Sequence, residues 1–131
     1  LSLPKVNLRK IELNKKDFYP FKNSTAKLAM TAHILSSKID SRDVSTFSKK
    51  IIKNIIRKKI GFKGILMSDD ISMKALKNSI SENTKLAFIA GCNLVLHCNG
   101  NYSEMLTVAK NSPIIDDFIM KKTSQFHKIL S

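Results

Sequence analysis

Gly61-Phe62-Lys63-Gly64-Ile65-Leu66-Met67-Ser68-Asp69-Asp70-Ile71-Ser72-Met73 decides the fold. A short apolar run, Ile65 to Met67, sits between a glycine turn and two adjacent carboxylates. A buried parallel strand that delivers acidic groups at its C-terminal end reads this way. In α/β barrels that end of the strand carries the chemistry. Asp69 then has two readings: a cap for the helix that follows, or a carboxylate that attacks a substrate.

The flanks extend the pattern in both directions. Upstream, Phe47, Ile51, Ile52, Ile55 and Ile56 recur at helical spacing with lysines between them. Ser45 or Thr46 is the expected N-cap, Lys58 and Lys59 suit the last turn, and Gly61 is the expected left-handed C-cap. Before this helix, Leu28 to Leu35 is apolar on both faces and reads as a strand covered on both sides. His33 lies near its C-terminal end, as a hydrogen-bonded core residue or as a site residue. Strand, helix and strand make one βαβ unit. Residues 1–24 read as irregular, with the aromatic cluster Asp17 to Phe21 anchored by burial.

Downstream, Met73 to Leu76 is expected to form a helical turn. A helix starts around Ser81, makes apolar contacts through Leu86, Phe88, Ile89 and Ala90, and closes at Gly91. A third strand, Asn93 to Cys98, ends in the turn Asn99-Gly100-Asn101. A helix from Tyr102 to Lys110 follows, and Pro113 suits the first position of a last helix. That helix, Ile114 to Leu130, carries Ile115, Phe118, Ile119, Phe126 and Ile129 as an apolar stripe. The order β-α-β-α-β-α-α defines an α/β chain.

Composition narrows the function classes. The 131 residues suit one domain, and no apolar run approaches the ~20 residues of a membrane span. The chain opens on Leu1 without a basic-then-apolar signal segment, so it is expected to be a piece of something longer or a processed product. Cys92 and Cys98 flank one strand without Cys-x-x-Cys spacing, and read as reduced core or rim residues rather than a zinc pair. The net charge is +13, yet Arg9, Arg42 and Arg57 are the only arginines. Lys, Ile and Asn share A/T-rich codons, so the charge reads as solvated surface, and a nucleic-acid partner is not expected. Four glycines, none in a G-x-G-x-x-G or Walker pattern, argue against a nucleotide enzyme.

Phe21, Met30-Thr31-Ala32-His33-Ile34, Ile39-Asp40, Ser48, Arg57 before Gly61-Phe62, Ser68-Asp69-Asp70-Ile71-Ser72-Met73, Ala90-Gly91-Cys92 and Leu94-Val95-Leu96 stand in order. Together they resemble the bacterial β-N-acetylglucosaminidases of glycoside hydrolase family 3, cytoplasmic enzymes of peptidoglycan recycling. The resemblance covers about residues 1–100, and the Ser-Asp-Asp-x-Ser-Met block is its specific part. It implies a fold: the C-terminal portion, about three βα units, of a TIM-type (β/α)8 barrel. Residues 1–131 would then be a partial family-3 N-terminal-type catalytic domain without its first strands.

By the same resemblance Asp69 is the nucleophile, with Ser68 and Asp70 in support and His33 and Met73 as substrate-pocket candidates. A retaining glycosidase needs a fixed, ionised carboxylate to form a glycosyl–enzyme intermediate. Asp70 is expected to cap or orient, because two carboxylates on one sugar carbon would repel. No metal or organic cofactor is implied. The family's acid/base is a histidine paired with an aspartate in an Asp-Ser-His loop, and Leu1-Ser2-Leu3-Pro4 resembles the residues just after it. His33, His97 and His127 do not stand in that motif. The chain is therefore expected to be a fragment lacking the N-terminal barrel half and inactive alone. Its substrate would be an N-acetylglucosamine-containing muropeptide. The alternatives are an inactive gene remnant and a basic module for nucleic acid or an acidic partner.

Overall fold

The computed structural model describes residues 2–130, with side chains described through Ser124. The elements run β1 (Lys5–Val6), α1 (Lys10–Lys15), a 3-10 turn (Tyr19–Phe21), β2 (Leu28–Met30), β3 (Leu35–Ser36), α2, β4 (Ile65–Asp70), α3 (Ile80–Ala90), β5 (Leu94–Leu96), α4 (Tyr102–Asn111) and α5 (Asp117–Leu130). Helix α2 opens as Lys49–Ile51 and continues as a π-helical stretch, Ile52–Ile60. β2, β4 and β5 form one parallel sheet in that order, with Leu28 opposite Ile65 and Met67 opposite Leu94. β1 and β3 pair as a separate parallel ribbon. Among the described residues no helix is long and apolar enough to cross a membrane.

Local sequence explains where the helices start and stop. Ser48 accepts the Ile51 N–H at 3.0 Å and caps α2, while Gly61 ends it at φ 82°. Ser79 and Glu82 form a reciprocal capping box at α3, and Gly91 ends that helix at φ 116°. Asn101 caps α4 through the Glu104 N–H.

The core sits between the sheet and helices α2 and α3. Ile52, Phe62, Leu66, Ala87, Ala90 and Cys92 belong to it, with Phe47 and Val44 from the loop before α2. Each fully buried Ile or Leu there contributes roughly 1.5–3 kcal/mol. A second cluster, Leu13, Ile39, Ile51 and Ile55, seats α1 on the other face of α2. Arg57 ties the N-terminal ends of two strands together. Its guanidinium donates to the Phe62 and Gly64 carbonyls at 3.1 and 2.7 Å and to Asn93 Oδ1 at 2.7 Å. Asn93 Oδ1 also accepts the Leu66 N–H, so one side chain spans β4 and β5.

Several expectations are corrected. The first strand stops at Met30, although the Thr31 N–H still reaches the Met67 carbonyl; Ile34 N–H then turns back to the Ala32 carbonyl, and Leu35 joins β1 instead. Its two faces are not both covered: Leu28 and Met30 are 42% and 53% exposed. Residues 1–24 are not irregular, since β1, α1 and the 3-10 turn fall there. Of the aromatic cluster only Phe18 packs inward; Tyr19 and Phe21 are exposed. The cap of α2 is Ser48 because the Ser45 and Thr46 hydroxyls are spent on Ile34 and Thr31. Pro113 does not open α5. Asp116 does so, its carboxylate accepting the Ile119 N–H. Ile119 is the buried member of the expected stripe, Ile115 and Phe118 are exposed, and Phe126 and Ile129 lie outside the described side chains. Helix α3 buries Ala87 and Ala90, whereas Ile89 faces out. Cys92 is a buried free thiol and Cys98 an exposed one.

Candidate active site

The C-terminal end of β4 carries the carboxylates, and a bulge places them. Met67 faces Leu94 and Asp70 faces Leu96, so β4 holds one residue more than β5 between the two pairs. The extra residue breaks the ladder, and the Ser68 hydroxyl repairs it by accepting the Leu96 N–H at 2.9 Å. Ser68 is fully buried, so this bond has no water to replace it. Bulges re-aim side chains at sheet ends. Here Asp69 and Asp70 both remain half-buried, at the rim of the sheet.

Asp69 is held from two sides. Its N–H donates to Thr31 Oγ1, just past the end of β2, at 3.2 Å. Its Oδ1 accepts the Asp70 N–H at 2.8 Å. Among the described residues Oδ2 has no hydrogen-bond partner. Thr31 is itself fixed by a 2.8 Å hydrogen bond to Thr46, and both are buried.

Asp70 is more heavily bonded than Asp69, chiefly through Oδ1, with Oδ2 sharing the Ser72 hydroxyl. Its carboxylate accepts the Ser72 N–H and hydroxyl at 2.9 and 2.7 Å and the Cys98 N–H at 3.1 Å. Burial pushes its pKa up, but the bonds from Ser72 and Cys98 and the nearby His97 outweigh burial and hold it below the ordinary carboxylate value. The Asp70 carbonyl accepts the Met73 N–H at 3.3 Å and His33 Nε2–H at 2.9 Å. His33 is 4% exposed, its ring lies 5.9 Å from Phe47, and its Nδ1 is buried without a partner. The structure therefore shows His33 anchoring the backbone of the carboxylate pair. Met73, 37% exposed, stands on the turn that follows. His97 pairs with Glu104 at 2.8 Å. Neither described histidine hydrogen-bonds an aspartate carboxylate.

The sequence singled out Ser68, Asp69, Asp70, His33 and Met73, and hydrogen bonds join all but Ser68 into one backbone-linked cluster. Ser68 reaches it through β5. Sequence reasoning gives Thr31, Thr46, Asn83 and Glu104 no place in the site, although Thr31 stands in the quoted motif and Thr46 reads as an N-cap. Asn83, 2% exposed on α3, donates to the Ile71 carbonyl at 3.0 Å and pins the chain just past Asp70. A hydroxyl inside the apolar run Leu28 to Leu35 was the available signal for Thr31. Clefts also lie away from the β4 carboxylates. One of about 840 Å³ sits at the N-terminal ends of the strands, beside Arg57, Phe62 and Asn93, and Asp69 does not line it. The side-chain chemistry, not this cleft, locates the candidate site.

What the arrangement offers is one carboxylate oxygen open for reaction, its partner oxygen held by an amide, on a rigid strand of a parallel α/β sheet. That is the equipment of a hydrolytic or group-transfer α/β domain. The glycosyl hydrolase family 3 N-terminal domain matches residues 1–129, and the chain belongs to that family. A relative from Nitrosomonas eutropha named beta-hexosaminidase is 38% identical over 103 residues, covering 73% of this chain and 29% of the relative. A beta-hexosaminidase from Psychromonas ingrahamii is 31% identical, covering 98% of this chain and 37% of the relative. Among solved structures, NagZ from Neisseria gonorrhoeae in complex with N-trifluoroacetyl-D-glucosamine is similar, with a TM-score of 0.80 and 28% identity over 93% of this chain and 36% of that one. The chain thus spans roughly a third of the length of the relatives it matches.

Proposed function

We propose that this chain is the nucleophile-bearing part of a retaining β-N-acetylglucosaminidase, built as the last three βα units of a (β/α)8 barrel. Asp69 attacks the anomeric carbon of a terminal non-reducing N-acetylglucosamine and forms a covalent glycosyl–enzyme intermediate. Asp70, held on Ser72 and Cys98, sets the backbone and keeps its own charge off the reacting carbon. The observation that carries this reading is the contrast between the two carboxylates: Asp69 accepts one backbone N–H and its Oδ2 has no partner among the described residues, whereas Asp70 Oδ1 accepts three donors and its Oδ2 shares the Ser72 hydroxyl. The beta-hexosaminidase relatives support the sugar class. A muropeptide of peptidoglycan recycling, encountered in the cytoplasm, is the substrate that the family resemblance favours.

Retaining hydrolysis also needs a proton donor opposite the nucleophile. Among the described residues His33 donates to a carbonyl and His97 pairs with Glu104, and the family resemblance assigns the donor to an Asp-Ser-His loop, a motif that does not occur in residues 1–131. The partner this implies is the N-terminal part of the barrel, and the isolated chain does not turn over an aryl N-acetylglucosaminide. The test is covalent labelling of the complete enzyme with a mechanism-based 2-fluoro- or 5-fluoro-sugar. Mass spectrometry should place the label on Asp69, and Asp69→Ala should abolish it. A label that persists in Asp69→Ala moves the nucleophile elsewhere.

A further inference from the structure

Two buried side chains converge on consecutive carbonyls beside the carboxylates. His33, 4% exposed in the loop after β2, donates from Nε2 to the Asp70 carbonyl at 2.9 Å. Asn83, 2% exposed on α3, donates from Nδ2 to the Ile71 carbonyl at 3.0 Å. Between these carbonyls the Ile71 N–H donates to the Leu96 carbonyl on β5 at 2.9 Å. A carbonyl only accepts, so His33 carries a proton on Nε2 and Asn83 presents its amide NH2 group. The other polar atoms, His33 Nδ1 and Asn83 Oδ1, are buried without a hydrogen-bond partner among the described residues. Each side chain therefore keeps one polar atom out of water while making a single bond to the same two-residue stretch. The His33 ring also packs on Phe47, with centroids 5.9 Å apart, a contact that needs no nitrogen.

The importance of these bonds lies in the peptide they enclose. A peptide unit is planar, so a bond at either end orients the whole unit. The Asp70–Ile71 unit is held at its carbonyl by His33 and at its N–H by Leu96. The Ser68–Asp69 unit is held at its N–H by Thr31. The Asp69–Asp70 unit lies between them and carries the N–H that Asp69 Oδ1 accepts at 2.8 Å. Its orientation follows from those two neighbours. We propose that His33 and Asn83 are positioning residues for Asp69: by clamping the Asp70 and Ile71 carbonyls they fix the Asp70 N–H, which holds the Asp69 carboxylate in one orientation with Oδ2 left for the sugar. This rests on Asp69 being the nucleophile. The clamp itself is a set of bonds within this chain.

The test is the rate of fluoro-sugar labelling in the complete enzyme, with circular dichroism to establish that each variant folds. His33→Phe keeps a ring against Phe47 and removes the donor. The rate constant for labelling at saturating sugar should fall roughly ten- to hundredfold, because a misplaced attacking group slows the covalent step. The half-saturating sugar concentration should change little, because the clamp does not touch the sugar. His33→Gln restores an N–H donor and should recover most of the rate. Labelling of folded His33→Phe at the parent rate overturns the proposal, and so does a His33→Gln no faster than His33→Phe. Should His33→Phe fail to fold, Asn83→Leu decides: the same fall supports the clamp, and the parent rate overturns it. Nitrogen-15 shifts of the His33 ring give a reading without sugar. They should place the proton on Nε2, and a proton on Nδ1 instead overturns the proposal. A parent enzyme labelled away from Asp69 removes the nucleophile assignment, and the ring shifts then show separately whether the clamp stands.

Discussion

Thr31→Val should loosen the site more than its one lost oxygen suggests. The hydroxyl serves two partners, Thr46 Oγ1 at 2.8 Å and the Asp69 N–H at 3.2 Å. Valine fills nearly the same volume, so packing changes little and the loss is polar. Thr46 is fully buried, and its orphaned hydroxyl should cost about 1–3 kcal/mol. The Asp69 N–H is half-buried and regains part of its loss from water, adding about 1 kcal/mol. The expected destabilisation is therefore about 2–4 kcal/mol, read as a fall in the urea midpoint at constant slope. Thr46→Val should cost about 1–2 kcal/mol, because Thr31 still accepts from Asp69. The double variant removes both hydroxyls and orphans only the Asp69 N–H. It should be no less stable than Thr31→Val alone, a coupling of about 1–2 kcal/mol. Additive costs, within about 0.5 kcal/mol, would refute the shared-hydroxyl reading.

Asp70 ties stability to pH. Its folded carboxyl lies below the ordinary value, so it stabilises the fold above that ordinary value and loses this contribution as pH falls through the lowered one. Urea midpoints from pH 6 to pH 2.5 should fall less steeply in Asp70→Asn, and an unchanged slope would contradict the clamp. Gly64→Ala should disrupt the β2–β4 register. A Cβ there meets the Lys27 carbonyl and stands 2.7 Å from Phe62 Cζ, and only the ring can move. A loss of several kcal/mol is expected, typical of severe overpacking, and thermal unfolding followed by circular dichroism checks it. A thiol reagent at pH 8 should modify Cys98 and spare Cys92 in the native chain. Burial pushes the Cys92 thiol up to about 12 despite the opposing pull of Arg57. Two equally fast thiols by mass spectrometry would show that the core around Cys92 opens readily.

The parts of this fold legible in the sequence are those fixed by near neighbours. The run Ile65 to Met67 between Gly64 and Ser68 specifies a buried strand, and Gly61 and Gly91 end their helices because only glycine sits easily at positive φ. The parts that were not legible depend on partners distant in sequence. Leu28 to Leu35 has the composition of one strand, yet its second half pairs with Lys5–Val6 rather than with β4. Nothing within those eight residues distinguishes the two outcomes. The cap of α2 moved from Ser45 or Thr46 to Ser48 for the same reason. All three have the right side chain, and the choice is made by Thr31 and Ile34 claiming the other two. Pro113 lost to Asp116 because a carboxylate satisfies an orphan N–H, whereas a proline only avoids adding one.

The same division runs through the site. Asp69 and Asp70 are adjacent, identical in type and both at the end of β4, so local sequence gives no reason to assign them different roles. The bulge at Met67/Asp70 separates them. It turns the Asp70 carboxylate toward the amide of Cys98, two residues past β5, and leaves Asp69 tied to Thr31, just past β2, through its backbone, not through its side chain. A carboxylate that accepts three donors stabilises structure and is a poor nucleophile, since attack would break those bonds. One that accepts a single amide keeps a lone oxygen for the reacting centre. The Ser68 hydroxyl makes this tolerable by replacing the ladder bond that the bulge removes. Ser68→Ala should therefore impair Asp69 without touching it, by letting β4 and β5 slip back toward regular pairing and turning both carboxylates away from their partners.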